Sequence, residues 1–300
     1  MKSFPRLDAF VGSLGMSPSS PSPLVVFDCD GTIIQGDIGE AMFYRQVERF
    51  LFRVSPALLW HDHPKRTELG NLFESLAALP PDRRTNDRRY GPFTELVLSW
   101  YFDQLAQGKT AKACADIVRL LAGYRTREVR EIASATLRTE LRATPGTRTL
   151  ATFRLPLGIS YIRESLDWLE RLKSLGAEIW VISGSNRWSV EAVFERLNIP
   201  PERILGIDLQ EDGGVLTPEV RGHIPLLQGK IDALRELTSR RPAVVFSDSV
   251  YDLPLFRHAT GLRVLINSRN GTSAEFFSSA GIARDETWEV VENPTVEQQG

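Results

Sequence analysis

The chain has 300 residues, a formal net charge of −2, 42% hydrophobic and 25% charged residues, the balance of a globular chain long enough for one large domain or two ordinary ones. So small a net charge gives no electrostatic case for nucleic acid or an anionic membrane surface as partner. Two cysteines, Cys29 and Cys114, are too few for a disulfide framework, and no apolar run reaches the length of a bilayer span.

Residues 1–23 hold no signal-peptide core, and the Ser/Pro-rich stretch from Ser17 to Pro23 reads as the end of a flexible lead-in over residues 1–23. A cytoplasmic location is expected. Leu24 to Phe27 then form a short apolar run that predicts a buried parallel strand. It runs directly into Asp28, Cys29, Asp30, Gly31 and Thr32. Two carboxylates one residue apart at the end of a buried strand resist joint ionisation unless a cation or a shared proton relieves them. The carboxyl ends of strands are where open α/β sheets place their ligands. Cys29 should point away from both aspartates by strand alternation.

Helical periodicity follows over Gly39–Val54, Thr67–Leu79, Pro92–Ala106, Ala111–Leu121 and Arg127–Leu141, with Thr126 as an expected N-cap for the last. Proline and glycine punctuate these helices, and Asp82 to Tyr90 reads as a solvated loop. So does His61-Asp62-His63, a histidine pair with no further ligand cluster around it. Pro145-Gly146 and Pro156 end the helical region. From there strand and helix alternate: a helix over Arg163–Leu175, a strand over Glu178–Ile182, a helix over Ser189–Leu197 and a strand over Arg203–Leu209. A turn at Asp212–Gly214, a helix over Lys230–Thr238, and strands over Ala243–Phe246 and Arg263–Ile266 complete the pattern. Alternation of this kind predicts a parallel sheet covered by helices on both faces. The expected division is a discontinuous core of residues 24–35 and 158–300, with a helical insert over 36–157 placed as a lid above the end of the first strand.

Four segments carry chemistry. Asp28 is a candidate nucleophile for phosphoryl transfer, and Asp30 a candidate acid and base. Ser183-Gly184-Ser185-Asn186 follows a strand and precedes a helix, where a hydroxyl and exposed N–H groups bind phosphoryl oxygens. Lys230, at a helix start, sits at the unfavourable end of the dipole for a cation, a hint that it serves an anion. Asp248 and Asp252, after the Ala243–Phe246 strand, are hard oxygen ligands suited to Mg²⁺. In chain order these are Asp-x-Asp-Gly-Thr, a Ser after a second strand, a Lys, and Asp-Ser-x-x-Asp after a further strand.

This set resembles the haloacid dehalogenase-like hydrolase superfamily over residues 24–35 and about 158–270. The stretch Ser247 to Leu255 is most similar to its phosphoserine phosphatase-like branch, which includes phosphocholine phosphatase-type enzymes. The resemblance implies a Rossmann-like core whose parallel sheet is flanked by helices, with an inserted all-helical cap of the C1 type. It implies a Mg²⁺-dependent phosphomonoester hydrolase that works through a phospho-aspartate on a small phosphorylated metabolite. Asp28 would be nucleophile and metal ligand. Asp30 would be acid/base and would bind the metal through its carbonyl. Ser183 and the Gly184 amide would hold the phosphoryl group, and Lys230 would offset charge. Asp248 would ligate the metal, and Asp252 would ligate or support it. The presence of Asp30 argues against carbon–halogen cleavage. Asp37 stands about where the branch carries an acid that meets a substrate amine. Tyr251 replaces the usual Asn before the last aspartate, so a quaternary ammonium becomes an alternative to phosphoserine, with Trp188 a second aromatic candidate. Transfer to a second acceptor, or phosphate binding without catalysis, are the other readings. The sequence sets no oligomeric state.

Overall fold

The computed structural model describes residues 4–13, 22–267 and 286–297. Helix α1 spans Pro5–Ser13, and β1 is Leu24–Phe27. The insert is entered through β2 (Ile34–Gln35). It contains α2 (Ile38–Glu48), α3 (Pro56–Leu59), α4 (Arg66–Ala77), α5 (Pro81–Arg84), α6 (Tyr90–Ala106), α7 (Thr110–Arg119) and α8 (Thr126–Arg142). A hairpin of β3 (Gly146–Leu150) and β4 (Phe153–Leu157) follows, and β5 (Ser160–Tyr161) pairs antiparallel with β2 on the way out. Next come α9 (Arg163–Ser174), β6 (Glu178–Asn186), α10 (Arg187–Glu195), β7 (Ile204–Asp212) and β8 (Val215–Arg221). The described elements end with α11 (Gln228–Leu237), β9 (Val244–Ser247), α12 (Leu253–His258), β10 (Leu262–Asn267) and β11 (Trp288–Glu292).

The seven-stranded sheet runs in the order β11-β10-β9-β1-β6-β7-β8. Every neighbouring pair is parallel except β7 with β8. Strand β1 lies in the middle, with later strands laid down on either side of it. The strand order therefore reverses at β1, and its carboxyl end is the crevice where such sheets bind ligands. All four residues of β1 are buried, as a strand covered on both faces requires. Val25 and Phe27 join one apolar cluster, Leu24 and Val26 another that includes Ile231 and Leu234 of α11 and Leu255 of α12. Phe27 stacks on its cross-strand partner Phe246 with ring centroids 4.1 Å apart.

Several details differ from the sequence reading, among them α5, which turns the start of the expected Asp82–Tyr90 loop into helix. Residues 5–13 of the expected lead-in form a helix, because Phe4 and Leu7 are buried in the core and Glu289 accepts from the Leu7 amide at 3.1 Å. Most of the Ser/Pro-rich stretch, up to residue 21, lies outside the described residues. Helix α8 begins at Thr126 with Arg125 as its N-cap, not Thr126, since the Glu128 carboxylate reaches back to accept from the Arg125 amide at 2.9 Å. The insert is not all-helical: its Pro-rich exit is no plain break but the β3–β4 hairpin, where a two-stranded ribbon tolerates Pro156. The sheet also gains β11, whose pairing with β10 no local pattern announced.

The insert has its own apolar cluster, and that cluster does not stop at residue 157. Trp188 of α10, Ile207 and Leu209 of β7 and Leu216 of β8 belong to it. The main chain adds two bonds at 2.8 Å, Gly123 N to Leu216 O and Leu216 N to Tyr124 O. The insert is thus seated on the sheet's far edge by packing as well as connected through β2 and β5. Trp188→Ala should lower the unfolding free energy by about 3–5 kcal/mol in a urea titration, and a loss under about 1 kcal/mol would show that this seat carries little of the stability.

Candidate active site

Asp28 and Asp30 leave β1 on the turn that Gly31 makes possible. Gly31 has φ 71°, and a Cβ there would lie 2.0 Å from Asp248 Oδ2, so both the left-handed backbone and the close approach of Asp248 require glycine. Asp28 is buried, 6% exposed. Its Oδ1 accepts from the Cys29 amide at 2.8 Å and faces Lys230 Nζ at 3.0 Å. Among the described residues no protein donor reaches Oδ2. Burial pushes the Asp28 carboxyl well above the usual range, Lys230 pulls it back, and Asp252, Asp248 and Asp30 push it further up. Cys29 points into the apolar cluster behind the strand, as alternation predicts.

Lys230 is 2% exposed at the start of α11. Its Nζ lies 2.7 Å from Asp252 Oδ2, so the ammonium is held between two carboxylates from different segments. Burial alone would lower its pKa; the charges of Asp252 and Asp28 outweigh that and hold it above the ordinary value. Asp252 Oδ2 also accepts from Ser247 Oγ at 2.6 Å. That oxygen is occupied twice, so Asp252 acts here as the partner that fixes Lys230. Gly229 lets this helix start approach the preceding loop, since a Cβ there would sit 2.0 Å from Ile224 O.

Asp30 is held at both oxygens. Oδ1 accepts from the Ile38 amide at 2.8 Å, and Oδ2 accepts from Ser183 Oγ at 3.1 Å and Ser185 Oγ at 2.7 Å. Burial raises its pKa, and these three bonds only partly offset the rise, so its protonated form is more accessible than that of a surface aspartate. Ser183 is fully buried and accepts from the Ser185 amide at 3.0 Å. The β6–β7 register shifts between Ile182 and Asn186, which takes 183–185 out of the regular ladder and turns them to the site. Sequence reading singled out Ser183 and Gly184 and left Ser185 without a role; an out-of-register bulge has no local sequence signature. Asn186 is a plain helix cap, accepting from the Ser189 amide at 2.9 Å.

Asp248 closes the group from β9, pushed up to about 7 by burial and then by Asp252. Asp28, Asp30, Asp248 and Asp252 stand around one cation, Lys230. Among the described residues no set of three or more His, Cys, Asp or Glu side chains forms a ready cage for a metal ion. A Mg²⁺ site needs less: one or two carboxylates, carbonyl oxygen, water and phosphate. Two carboxylates facing the same crevice, with more negative charge than Lys230 offsets, fit that donor set.

These residues open on a cavity of about 640 Å³ whose far wall is built by the insert. Asp37 lines it but is exposed, and its Oδ1 caps α2 by accepting from the Glu40 amide at 2.7 Å. Glu40, which sequence reading did not single out, lines the cavity with both carboxylate oxygens bonded to tyrosine hydroxyls. Tyr251 stands at the cavity, 45% exposed, whereas Trp188 is buried packing. His63 is no solvated loop residue; it is buried against Trp60 and Trp100.

A model of haloacid dehalogenase-like hydrolases matches residues 82–257, more than half of the chain. The protein belongs to the haloacid dehalogenase-like hydrolase family. The match covers Ser183, Lys230, Asp248 and Asp252, while Asp28 and Asp30 precede it and join the site through the central position of β1. A conserved protein of unknown function from Anaerococcus prevotii has a similar structure, with TM-score 0.76 at 18% identity, covering 94% of this chain and 90% of the other. A Bordetella pertussis protein of unknown function aligns with TM-score 0.57 at 15% identity, over 91% and 99% of the two chains. Cytosolic 5′-nucleotidase IIIB, bound to cytidine, aligns with TM-score 0.50 at 14% identity, over 97% and 85%. At such identities the likeness is one of fold. No curated protein matches the sequence.

Lys230→Met leaves Asp28 and Asp252 buried without their cation and should cost about 3–5 kcal/mol in thermal or urea unfolding, with part of the loss recovered in the Lys230→Met/Asp252→Asn double variant. Additive losses in the double variant would show that the three groups do not act as a unit.

Proposed function

We propose that the protein is a Mg²⁺-dependent phosphomonoester hydrolase acting on a small metabolite through a phosphorylated Asp28. The observation that carries this reading is the division of labour between two neighbouring carboxylates. Asp28 is paired with Lys230 through one oxygen and, among the described residues, keeps the other without a protein donor, as a nucleophile needs. Asp30, two residues on, is oriented by three donors, and burial raises it in spite of them, which favours a group that carries and returns a proton.

In the first half-reaction Asp28 Oδ2 attacks phosphorus in line with the leaving oxygen, and that oxygen takes the proton of Asp30. In the second, Asp30 removes a proton from water as the water attacks the phosphoryl group, and Asp28 is released. Lys230 stays beside Asp28 throughout and offsets the charge that gathers there. The 183–185 bulge orients Asp30 through its two hydroxyls, and Gly184 lines the same cavity, where its amide would donate to a phosphoryl oxygen. Mg²⁺, held by the Asp28 and Asp248 carboxylates and the Asp30 carbonyl, would supply positive charge to the phosphoryl oxygens. Asp252 serves through Lys230. The wall built by the insert limits access of bulk water and shapes the space for the leaving group.

Released phosphate from p-nitrophenyl phosphate and a panel of small alkyl phosphates tests the reading. Turnover should require Mg²⁺ and vanish with EDTA, and Asp28→Asn should lower kcat by at least about a thousandfold. Asp30→Asn should cost about 10²–10⁴-fold on alkyl esters and much less on the aryl ester, whose leaving group needs no proton. Wild-type-like activity in Asp28→Asn would remove it as nucleophile, and an equal loss on both ester classes would remove Asp30 as the acid.

A further inference from the structure

A second hollow, of about 550 Å³, lies on the α2–α8 pair of the insert and shares no lining residue with the cavity at Asp28. Arg45 of α2 lines it together with Ala135, Arg138, Thr139 and Arg142 of α8, and Ala143 just past the helix end. Positions 135, 138, 139 and 142 recur at the spacing of a single helix face. Ala135 and Thr139 form a column of short side chains beside the column of Arg138 and Arg142. Arg45 reaches the short column from α2. Its Nη1 donates to Thr139 Oγ1 at 3.3 Å, and the Thr139 hydroxyl donates in turn to Ala135 O at 2.8 Å.

Carboxylates do not answer these cations. The glutamates of α8 are engaged elsewhere: Glu128 with Arg53, Glu131 with Arg127 and Glu140 with Arg148. Among the described residues no ion pair reaches Arg45, Arg138 or Arg142, nor Arg49 at the end of α2. Partial burial, and then the charge of Arg49, pull Arg45 below its ordinary pKa; Arg138 pulls the same way, and Glu48 and Glu140 offset this only in part. The carboxyl ends of α2 and α8 would each favour a cation through the helix dipole. They do not account for guanidinium groups crowded close enough to oppose one another. Such crowding is relieved by an anion, and the planar donor fork of arginine matches phosphate oxygens in pairs.

We propose that this hollow is a second binding site, for a compact oligophosphate anion such as pyrophosphate or the phosphate chain of a nucleotide, held by Arg45, Arg138 and Arg142. Three guanidinium groups carry more charge than one phosphate group answers, which favours a chain of two or more. The inference stands apart from the reaction at Asp28. Without a divalent metal the catalytic cavity, with Asp28, Asp30, Asp248 and Asp252 around Lys230, repels such an anion. Helix α2 joins the two places: its Ile38 amide holds Asp30, and Arg45 lies two turns further on, roughly 10 Å along the axis.

The test is a calorimetric titration of pyrophosphate, ADP and sulfate into the full chain in EDTA, with thermal unfolding as a second readout. Pyrophosphate should bind one site at least about tenfold more tightly than sulfate, and binding should weaken as sodium chloride is raised. Arg138→Gln/Arg142→Gln should weaken it by at least about tenfold and remove the rise in Tm that pyrophosphate gives. Both side chains are exposed, so the unliganded variant should remain folded, and the two single variants serve if it does not. Arg235→Gln/Arg257→Gln, the same charge change at exposed positions on α11 and α12, should leave binding unchanged. ADP binding as tightly as pyrophosphate shows that the phosphate chain suffices, and tighter ADP binding assigns a nucleotide; both support the site. Equal weakening in the two arginine pairs would reduce the effect to diffuse surface charge and overturn the site. So would unchanged binding in Arg138→Gln/Arg142→Gln, which places the anion elsewhere. Sulfate bound as well as pyrophosphate would overturn the oligophosphate class, and neither heat nor a Tm shift up to about 10 mM pyrophosphate would overturn the proposal as a whole.

Discussion

The ammonium of Lys230, fixed between Asp28 and Asp252, is the interaction on which the rest of the site depends. A lysine at 2% exposure is costly to bury, and each of these carboxylates would be costly to bury without it. The arrangement works because the three groups arrive from three places: the end of β1, the start of α11 and the turn after β9. Their meeting ties the sheet's central strand to the helix and the neighbouring strand on one side. Ser247 and the Gly229 approach serve that meeting, the first by completing the bonds of Asp252 and the second by letting α11 begin close to the preceding loop. A charge balance that is structural in origin thus leaves one oxygen of Asp28 facing the cavity with no protein donor among the described residues.

How much of this was legible in the sequence depends on how local each feature is. The β1 segment reads correctly because four buried apolar residues followed by Asp-x-Asp-Gly-Thr is a local pattern, and the strand and its turn are local structures. Lys230 was legible through its awkward place at a helix start, since a cation there needs an anion, and Asp28 and Asp252 supply it. Ser185 was not, because its contribution comes from a bulge that exists only once β6 pairs with β7. Glu40 was not, because nothing in the spacing of Glu40 and Tyr101 foretells that α6 will lay a phenol against α2. The helix over residues 5–13 and the strand β11 were missed for the same reason: each is stabilised by distant partners, with Glu289 on β11 holding α1.

The topology explains why residues so far apart in the chain could be read as one site at all. Strand β1 has β6 on one side and β9 on the other, so the segments that follow these three strands converge at one edge of the sheet. Each contributes a different function there: carboxylates from β1, hydroxyls and amides from β6, and further carboxylates from β9. The motif order in the sequence is the order in which the chain visits that edge. A sheet with β1 at its margin would bring only two of the three together.

The insert adds the fourth side, and its attachment bears on how selective that side can be. Where the chain leaves it, Glu140 of α8 is buried and accepts from both Arg148 and the Gly158 amide, the latter at 2.8 Å, tying the hairpin and the exit strand to the helix. At the opposite end, Trp188, Ile207, Leu209 and Leu216 continue the insert's apolar cluster into the sheet's edge. Fixed at both ends, the wall that carries Glu40 stands in a defined position relative to Asp28. A carboxylate locked by two phenols on such a wall has little further freedom to lose. A wall fixed in this way keeps the Glu40 carboxylate at one distance and orientation from Asp28, which a flexible polar lid could not do.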